Sequence, residues 1–192
     1  MKKKKINYVD NKKFFAEIVK YKEELQEARK TFSEEPRIPD YVGECIFKIA
    51  NKLSTKPCFM NYSYRDEMIS DGIENCILYF NDYNPEISQN PFAYFTQIIY
   101  YAFLRRIGKE EKNRYIIYKN FQETMTEIYA SADEEDSMLI SSSMYDNINV
   151  FMSKFERKEE IKKEKRKKMK TGLLKFYEDD DEKHTTPSTV TN

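Results

Sequence analysis

Between residues 94 and 114 the chain places aromatic, amide and cationic side chains at helical spacing. Tyr94, Gln97, Tyr101 and Arg105 recur at i, i+3, i+7 and i+11, which puts them on one face of a helix. Arg106, Lys109, Lys112 and Arg114 follow directly. Rings that accept a stacked base, joined to cations that seek phosphate, are what single-stranded nucleic acid requires. A stacked base contributes about 1–3 kcal/mol, and the cations add a salt-dependent attraction. The plainer account is that these tyrosines cap a core while the cations face solvent. On the pattern alone that account is preferred, since tyrosine occurs 15 times in 192 residues. A second surface lies upstream, where Glu67, Asp71 and Glu74 fall at i, i+4 and i+7. Such a line can dock a basic partner, carry metal-binding carboxylates, or simply be a solvated face, which is the plainest reading. A metal needs ligands that converge, and carboxylates along one straight helix diverge, so no metal site is assigned.

The elements that must hold these residues are helices. Phe14, Ile18, Tyr21 and Leu25 share a helical stripe, preceded by Asp10 and Asn11 as cap candidates. Asp40 can cap a second helix with the stripe Val42, Ile46, Ile49, Ala50 and Leu53, ended by Pro57. Ser63 and Asp66 are spaced as a capping box for a third helix that buries Ile69, Ile73, Cys76, Ile77 and Phe80. After the turn composition Asn-Asp-Tyr-Asn-Pro at 81–85, Asn90 and Pro91 have the N-cap and N1 character of a fourth helix. Its apolar stripe is Phe92, Phe95, Ile99, Phe103 and Ile107, and a separate fifth helix would carry Ile117, Phe121, Met125 and Ile128. The Ser- and acid-rich stretch 131–143 reads as a linker. Tyr145, Ile148, Met152 and Phe155 can form one more short helix.

Composition bounds the rest. The formal net charge is zero, so any electrostatic argument must be local. A mean hydropathy of −0.83, with no apolar run near the roughly 20 residues of a membrane span, excludes a transmembrane protein. The basic MKKKK start is not followed by the apolar segment of a signal peptide. Cys45, Cys58 and Cys76 show no C-x-x-C spacing, which favours a reducing cytoplasm over a disulfide framework or zinc site. The one histidine, His184, lies in a polar tail, which removes the His-based catalytic triads. Residues 157–170 carry nine bases against three acids, a local charge of +6 whose partner the sequence leaves open. The expected organisation is an all-α domain over 1–130, a linker and charged helix over 131–170, and a flexible tail over 171–192.

The segments E-M-I-S-D-G-I-E-N-C-I-L-Y-F-N-D-Y and N-P-F-A-Y-F-T-Q-I-I-Y-Y-A-F-L-R-R-I together resemble region 2 of bacterial sigma factors. An acidic amphipathic helix with an Asp-Gly leads through a turn to an aromatic helix ending in arginines. The likeness is greatest to the late-transcription sigma factors of T-even-type phages and covers roughly the first 130 residues, including N-Y-V-D-N-K near the start. The resemblance implies a sigma region 2-like helical bundle with a charged, partly disordered C-terminal tail. It implies a cytoplasmic protein of an infected bacterial host, without catalytic activity or cofactor. The third helix would dock on the clamp helices of the largest RNA polymerase subunit through Glu67, Ser70, Asp71, Glu74 and Ile77. The fourth would read and melt an AT-rich upstream promoter element, the family's aromatic and basic positions falling on Tyr94, Thr96, Gln97, Tyr100, Tyr101 and Arg105, with Arg106 and Lys109 beside them on phosphates. Where the family has adjacent tryptophans this chain has Gln97 and Ile98, which leaves Tyr94 and Tyr101 as the candidate wedges.

No segment after residue 131 resembles the helix-turn-helix of ordinary sigma factors, which the phage late factors also lack. Those factors use a co-activator and touch the DNA sliding clamp through a short hydrophobic-acidic motif. Leu173, Leu174, Phe176 and Tyr177, followed by acids, match it, although about 15 residues follow here where the family ends on the motif. The alternative from another class is a helical protein that binds RNA polymerase and inhibits or redirects it without reading DNA. A metal-dependent nuclease fits poorly, because no compact carboxylate set is present.

Overall fold

The computed structural model describes residues 8–131 and 142–183, with side chains described for 8–127 and 145–168. The order is α1 (Asn11–Thr31), α2 (Asp40–Ser54), α3 (Arg65–Leu78), a single 3-10 turn at Phe80–Asp82, α4 (Pro91–Ser131) and α5 (Ser142–Lys183). The described residues contain no strand, so the fold is all-α as the apolar periodicity predicts. None of the described helices is long and apolar enough to cross a membrane.

Local chemistry accounts for most helix ends. Asp10 accepts from the backbone amides of Lys12 (3.0 Å) and Lys13 (3.3 Å), satisfying donors that α1 itself cannot. At α4 the Asn90 side chain accepts from the Ala93 amide at 3.1 Å, with Pro91 in the first helical position. Asn11 is not a cap of its own helix. Its side-chain oxygen accepts from the Phe92 amide at 3.2 Å, so the start of α1 helps to close the start of α4. Two expected caps do not form. Asp40 is already the first helical residue, behind Pro39. The third helix begins at Arg65 with Tyr64 in the cap position, which leaves Ser63 one residue too far upstream to cap it.

The chain divides into two compact units, the first ending at Glu110. In that unit the stripes Phe14, Ile18, Tyr21, Leu25 and Val42, Ile46, Ile49, Ala50, Leu53 are buried as expected. On α3 the core residues are Met68, Ile69, Gly72 and Cys76, with Phe80 in the turn beyond; Ile73 is only half-buried and Ile77 is exposed. The third stripe is therefore rotated toward Met68 and away from Ile77. Phe95 stands at the centre, 5.7 Å from both Phe14 and Phe80 between ring centroids, while Phe103 meets Phe59 edge-on at 5.2 Å. Offset and edge-on aromatic pairs add about 0.5–1.5 kcal/mol each beyond simple burial. Gly72 sets how closely α3 meets α4. A Cβ there would lie 3.0 Å from Ile99 Cγ2 and 3.1 Å from Phe103 Cε1.

The expected break between a fourth and a fifth helix is absent, and α4 runs unbroken over 41 residues. Gly108 is its weak point, and a glycine inside a helix costs only about 1 kcal/mol, too little to end one. Beyond Glu110 the apolar side of α4 changes allegiance, so the first unit is shorter than the expected 1–130. In the second unit Tyr115 stacks on Phe155 (4.7 Å), Tyr118 meets Phe151 edge-on (5.4 Å) and Phe121 approaches Tyr145 (6.0 Å). Rising numbers on α4 pair with falling numbers on α5, so the helices are antiparallel. Gln122 donates to Asn149 at 2.5 Å and Tyr115 to Glu156 at 2.8 Å along the same seam. The short helix expected around Tyr145 to Phe155 is the start of α5, which continues through Lys183 because Lys, Glu and Arg are good helix formers. The backbone of 171–183 belongs to this helix. The core of the expected linker (132–141) and residues 184–192 lie outside the described residues.

Two glycine substitutions test this packing in opposite directions. Gly72→Leu should destabilise the protein by roughly 1–3 kcal/mol or more, by overpacking against Ile99 and Phe103. Gly108→Ala, where nothing lies within 4 Å of the new Cβ, should stabilise it by about 0.5–1 kcal/mol. Urea unfolding followed by circular dichroism measures both.

Candidate nucleic-acid interface

Helix α4 is held by one side. Phe95, Ile99, Ala102 and Phe103 are buried, and this commits the opposite side to face outward. On that side Gln97, Tyr101, Arg105 and Lys109 follow one another at i, i+4, i+8 and i+12, a single ridge along the helix, and all are exposed. Tyr101 is 51% exposed, and beside it Tyr100 and Leu104 are 41% and 43% exposed. The Tyr100 ring is braced edge-on by Phe59 at 5.7 Å and meets Tyr101 edge-on at 5.8 Å. One braced ring thus supports a freer one, and Leu104 adds an apolar shoulder that the aromatic-and-basic pattern did not single out.

Three expected members are not on this surface. Tyr94 is half-buried, its ring 5.0 Å from Tyr83 and edge-on to Phe95 at 5.1 Å, and its hydroxyl donates to the Tyr79 carbonyl at 3.3 Å. Burial pushes its phenol up from the usual value. A ring fixed in this way caps the core and is not a wedge. The Thr96 hydroxyl donates back to the Phe92 carbonyl at 2.6 Å, within its own helix. Arg106 points to α3. Its Nε donates to Asp71 Oδ2 at 2.7 Å and its Nη2 to Asp71 Oδ1 at 2.8 Å, a bidentate pair, while Nη1 donates to Glu110 Oε1 at 3.3 Å. These hydrogen bonds, the Asp71 pair first, hold the guanidinium even more firmly protonated than usual.

The pair also changes the acidic line on α3. Glu67 and Glu74 are exposed and carry no ion pair among the described residues, but the Asp71 carboxylate is occupied by Arg106. Ser70 is exposed, and its hydroxyl donates to the Asp66 carbonyl at 3.0 Å. Ile77 opens a short apolar run, 55% exposed and followed by Leu78 at 69% and Tyr79 at 43%. The surface on α3 is thus two separated carboxylates with an apolar end, not a continuous acidic stripe. Asn75 links the two helices once more. It donates to the Asp71 carbonyl at 2.6 Å and accepts from Arg105 Nη2 at 2.5 Å, so the cation of the α4 ridge is tethered to α3. Neither the tether nor the Asp71–Arg106 bridge has a sequence signal, since the partners lie 30 and 35 positions apart.

Of the C-terminal candidates, Leu173, Leu174, Phe176 and Tyr177 fall within the helical backbone of α5, and their side chains lie outside the described residues.

With side chains 18% and 29% exposed, the Arg106–Asp71 bridge is shielded enough to contribute to stability. Asp71→Ala should cost about 1–3 kcal/mol in urea unfolding, whereas Asp66→Ala at an exposed position should cost under about 0.5 kcal/mol. Equal small losses would mean that the bridge contributes nothing. No known protein-family model matches this chain, and no curated protein is significantly similar to it.

Proposed function

We propose that this chain is a transcription-initiation factor of the sigma type, of the late-phage kind, working in the cytoplasm of an infected bacterium. In this reading Glu67, Ser70, Glu74 and Ile77 on α3 dock on the clamp helices of the largest RNA polymerase subunit. The ridge Gln97, Tyr101, Arg105 and Lys109, with Tyr100 beside it, holds the separated non-template strand of an AT-rich promoter element. The observation that carries the proposal is the outward ridge on α4, back to back with the buried Phe95, Ile99, Ala102 and Phe103. A rigid helix presents rings and cations without the ordering cost that a loop would incur.

The mechanism needs no catalytic group and no cofactor. Opening a promoter separates several AT pairs, the cheapest to part, and the cost is offset by bases stacking on Tyr101 and Tyr100 at about 1–3 kcal/mol each. Lys109 meets phosphate directly. Arg105 does so after exchanging Asn75 for a phosphate oxygen, trading one charged hydrogen bond for another. Tyr94, Asp71 and Arg106 act indirectly by fixing α4 against α3. The Leu173, Leu174, Phe176 and Tyr177 segment is the proposed contact for a DNA sliding clamp, alongside a separate late co-activator.

One observation favours the other reading, a protein that binds polymerase and inhibits or redirects it without gripping DNA. With Arg105 on Asn75 and Arg106 on Asp71, Lys109 is the ridge cation left without a partner among the described residues.

Run-off transcription from an AT-rich upstream element, with core polymerase alone and with the chain added, separates the two. Dependence on the chain supports initiation, and inhibition alone supports the second reading. Tyr101→Ala should lower promoter opening, read as permanganate reactivity of unpaired thymines, by about tenfold, the equivalent of one lost stack. Co-purification with core polymerase should be unchanged. A parallel loss of both would contradict the division of labour between α3 and α4.

A further inference from the structure

One side of helix α5 carries cations and no acid. Lys154, Arg157, Lys158, Lys165 and Lys168 fall on one stripe at 3.6 residues per turn, with Ile161 in its middle. Glu156, Glu160 and Glu164 follow one another at i, i+4 and i+8 outside that stripe. Every side chain from 160 to 168 is exposed, so no packing requirement explains the arrangement.

Helix stability does not explain it either. A solvated helix gains about 0.2–0.5 kcal/mol from each opposite-charge pair at i, i+4 and loses a similar amount from each like pair. Here Lys154–Lys158, Lys158–Lys162, Lys162–Arg166 and Lys163–Lys167 repel, as do Glu156–Glu160 and Glu160–Glu164. At that spacing Glu159–Lys163 and Glu164–Lys168 attract, and at i, i+3 the four attractive pairs Arg157–Glu160, Glu159–Lys162, Glu160–Lys163 and Glu164–Lys167 stand against five like pairs, so repulsions still outnumber attractions. Some cations in this segment are engaged. Lys158 donates to Glu111 and Lys162 to Glu159, at 2.5 and 2.6 Å. Lys154, Arg157, Lys165 and Lys168 have no ion-pair partner among the described residues.

We propose that this stripe is a binding site for the phosphate backbone of duplex DNA. From Lys154 to Lys168 it spans about 21 Å at 1.5 Å per residue, the axial length of about six base pairs, and a duplex carries a negative charge about every 1.7 Å. Two other anionic partners fit less well. Single strands require stacking rings, and no aromatic residue occurs from 156 to 175. A membrane surface requires an apolar face with bulky anchors, and Ile161 is the only large apolar residue in the stripe. The contacts are to phosphate alone, so the site is indifferent to sequence. It lies on α5, outside the α4 ridge, and does not depend on the sigma-type reading.

The test is fluorescence anisotropy of the full-length chain with a labelled 30-base-pair duplex of arbitrary sequence at about 50 mM salt. The wild type should bind, with log affinity falling against log salt at a slope of about −3 to −4, as for about four neutralised phosphates. Arg157→Gln combined with Lys165→Gln should weaken binding by about tenfold and reduce the slope by about 2. Lys163→Gln with Lys167→Gln removes the same charge from the other side of the helix and should change affinity less than twofold. Tyr101→Ala should leave duplex binding intact, which separates a failure here from a failure of the promoter-opening reading. The proposal is overturned by no duplex binding at this salt, by equal effects of the two double variants, or by tighter binding to the single strand. Preferential binding to vesicles of 70% phosphatidylcholine and 30% phosphatidylserine would overturn it too. Circular dichroism of both double variants shows whether α5 is retained. If Arg157→Gln with Lys165→Gln loses helix, Arg157→Lys with Lys165→Arg replaces it and should bind within twofold of wild type; a larger loss from that charge-conserving pair overturns the proposal.

Discussion

Side chains of α4 rest against the backbone of α3 at Gly72, and this contact is the closest constraint on the first unit. A Cβ there would lie 3.0 Å from Ile99 and 3.1 Å from Phe103, so any larger residue must displace those side chains. The hydrogen bonds between them follow from this contact. Asp71, next to Gly72, reaches Arg106, and Asn75, one turn on, reaches Arg105. Burial of Phe95, Ile99, Ala102 and Phe103 turns one side of α4 inward. The bidentate pair has a fixed geometry and agrees with that rotation. Core packing and the bridge to α3 thus favour the same outward residues of α4.

The consequence for function is that the exposed ridge and the buried stripe are not independent. Turning α4 by one residue position, about 100°, would carry Tyr101 into the buried place of Ala102 and bring Phe103 out. Burying a tyrosine hydroxyl without a partner is unfavourable, as is exposing Phe103, so the core and the ridge select the same orientation. Tyr94 shows the limit of this logic. It shares a face with Tyr101 by periodicity, but it lies near the helix start, where Tyr83 and the turn after α3 reach across and cover it. A helical face is a property of one helix, whereas exposure depends on its neighbours.

This is also where the sequence stopped being informative. Apolar spacing located α1 to α4 and most core residues, because burial of a stripe is a local pattern with one dominant cause. Asp10 and Asn90 were legible as caps for the same reason: their partners are two and three residues away. Asn11 looked like a cap and is one, but of a helix that begins 80 residues later. The arginines at 105 and 106 read as a phosphate-binding pair, yet adjacent residues on a helix point about 100° apart. One of them was bound to turn toward α3. The absence of a break after Ile107 was legible in principle, since Gly108 is the only glycine between 92 and 131 and no proline occurs there.

Rings and cations respond to solution conditions differently, and this gives the two exposed surfaces different physical characters. Stacking on Tyr100 and Tyr101 depends on ring contact and is little affected by ions. A phosphate contact is driven largely by release of counterions and fades as salt rises. The α4 ridge with Tyr100 presents two rings but few available cations, because Asn75 holds Arg105 and Arg106 is turned to Asp71, so the proposed grip would persist at salt concentrations that abolish purely electrostatic binding. The α5 stripe has cations without rings and would lose its grip first. A chain of zero net charge has no general attraction to nucleic acid. Any affinity it has must arise from such local asymmetries, and the acid-free side of α5 is one for which neither helix stability nor packing offers a cause.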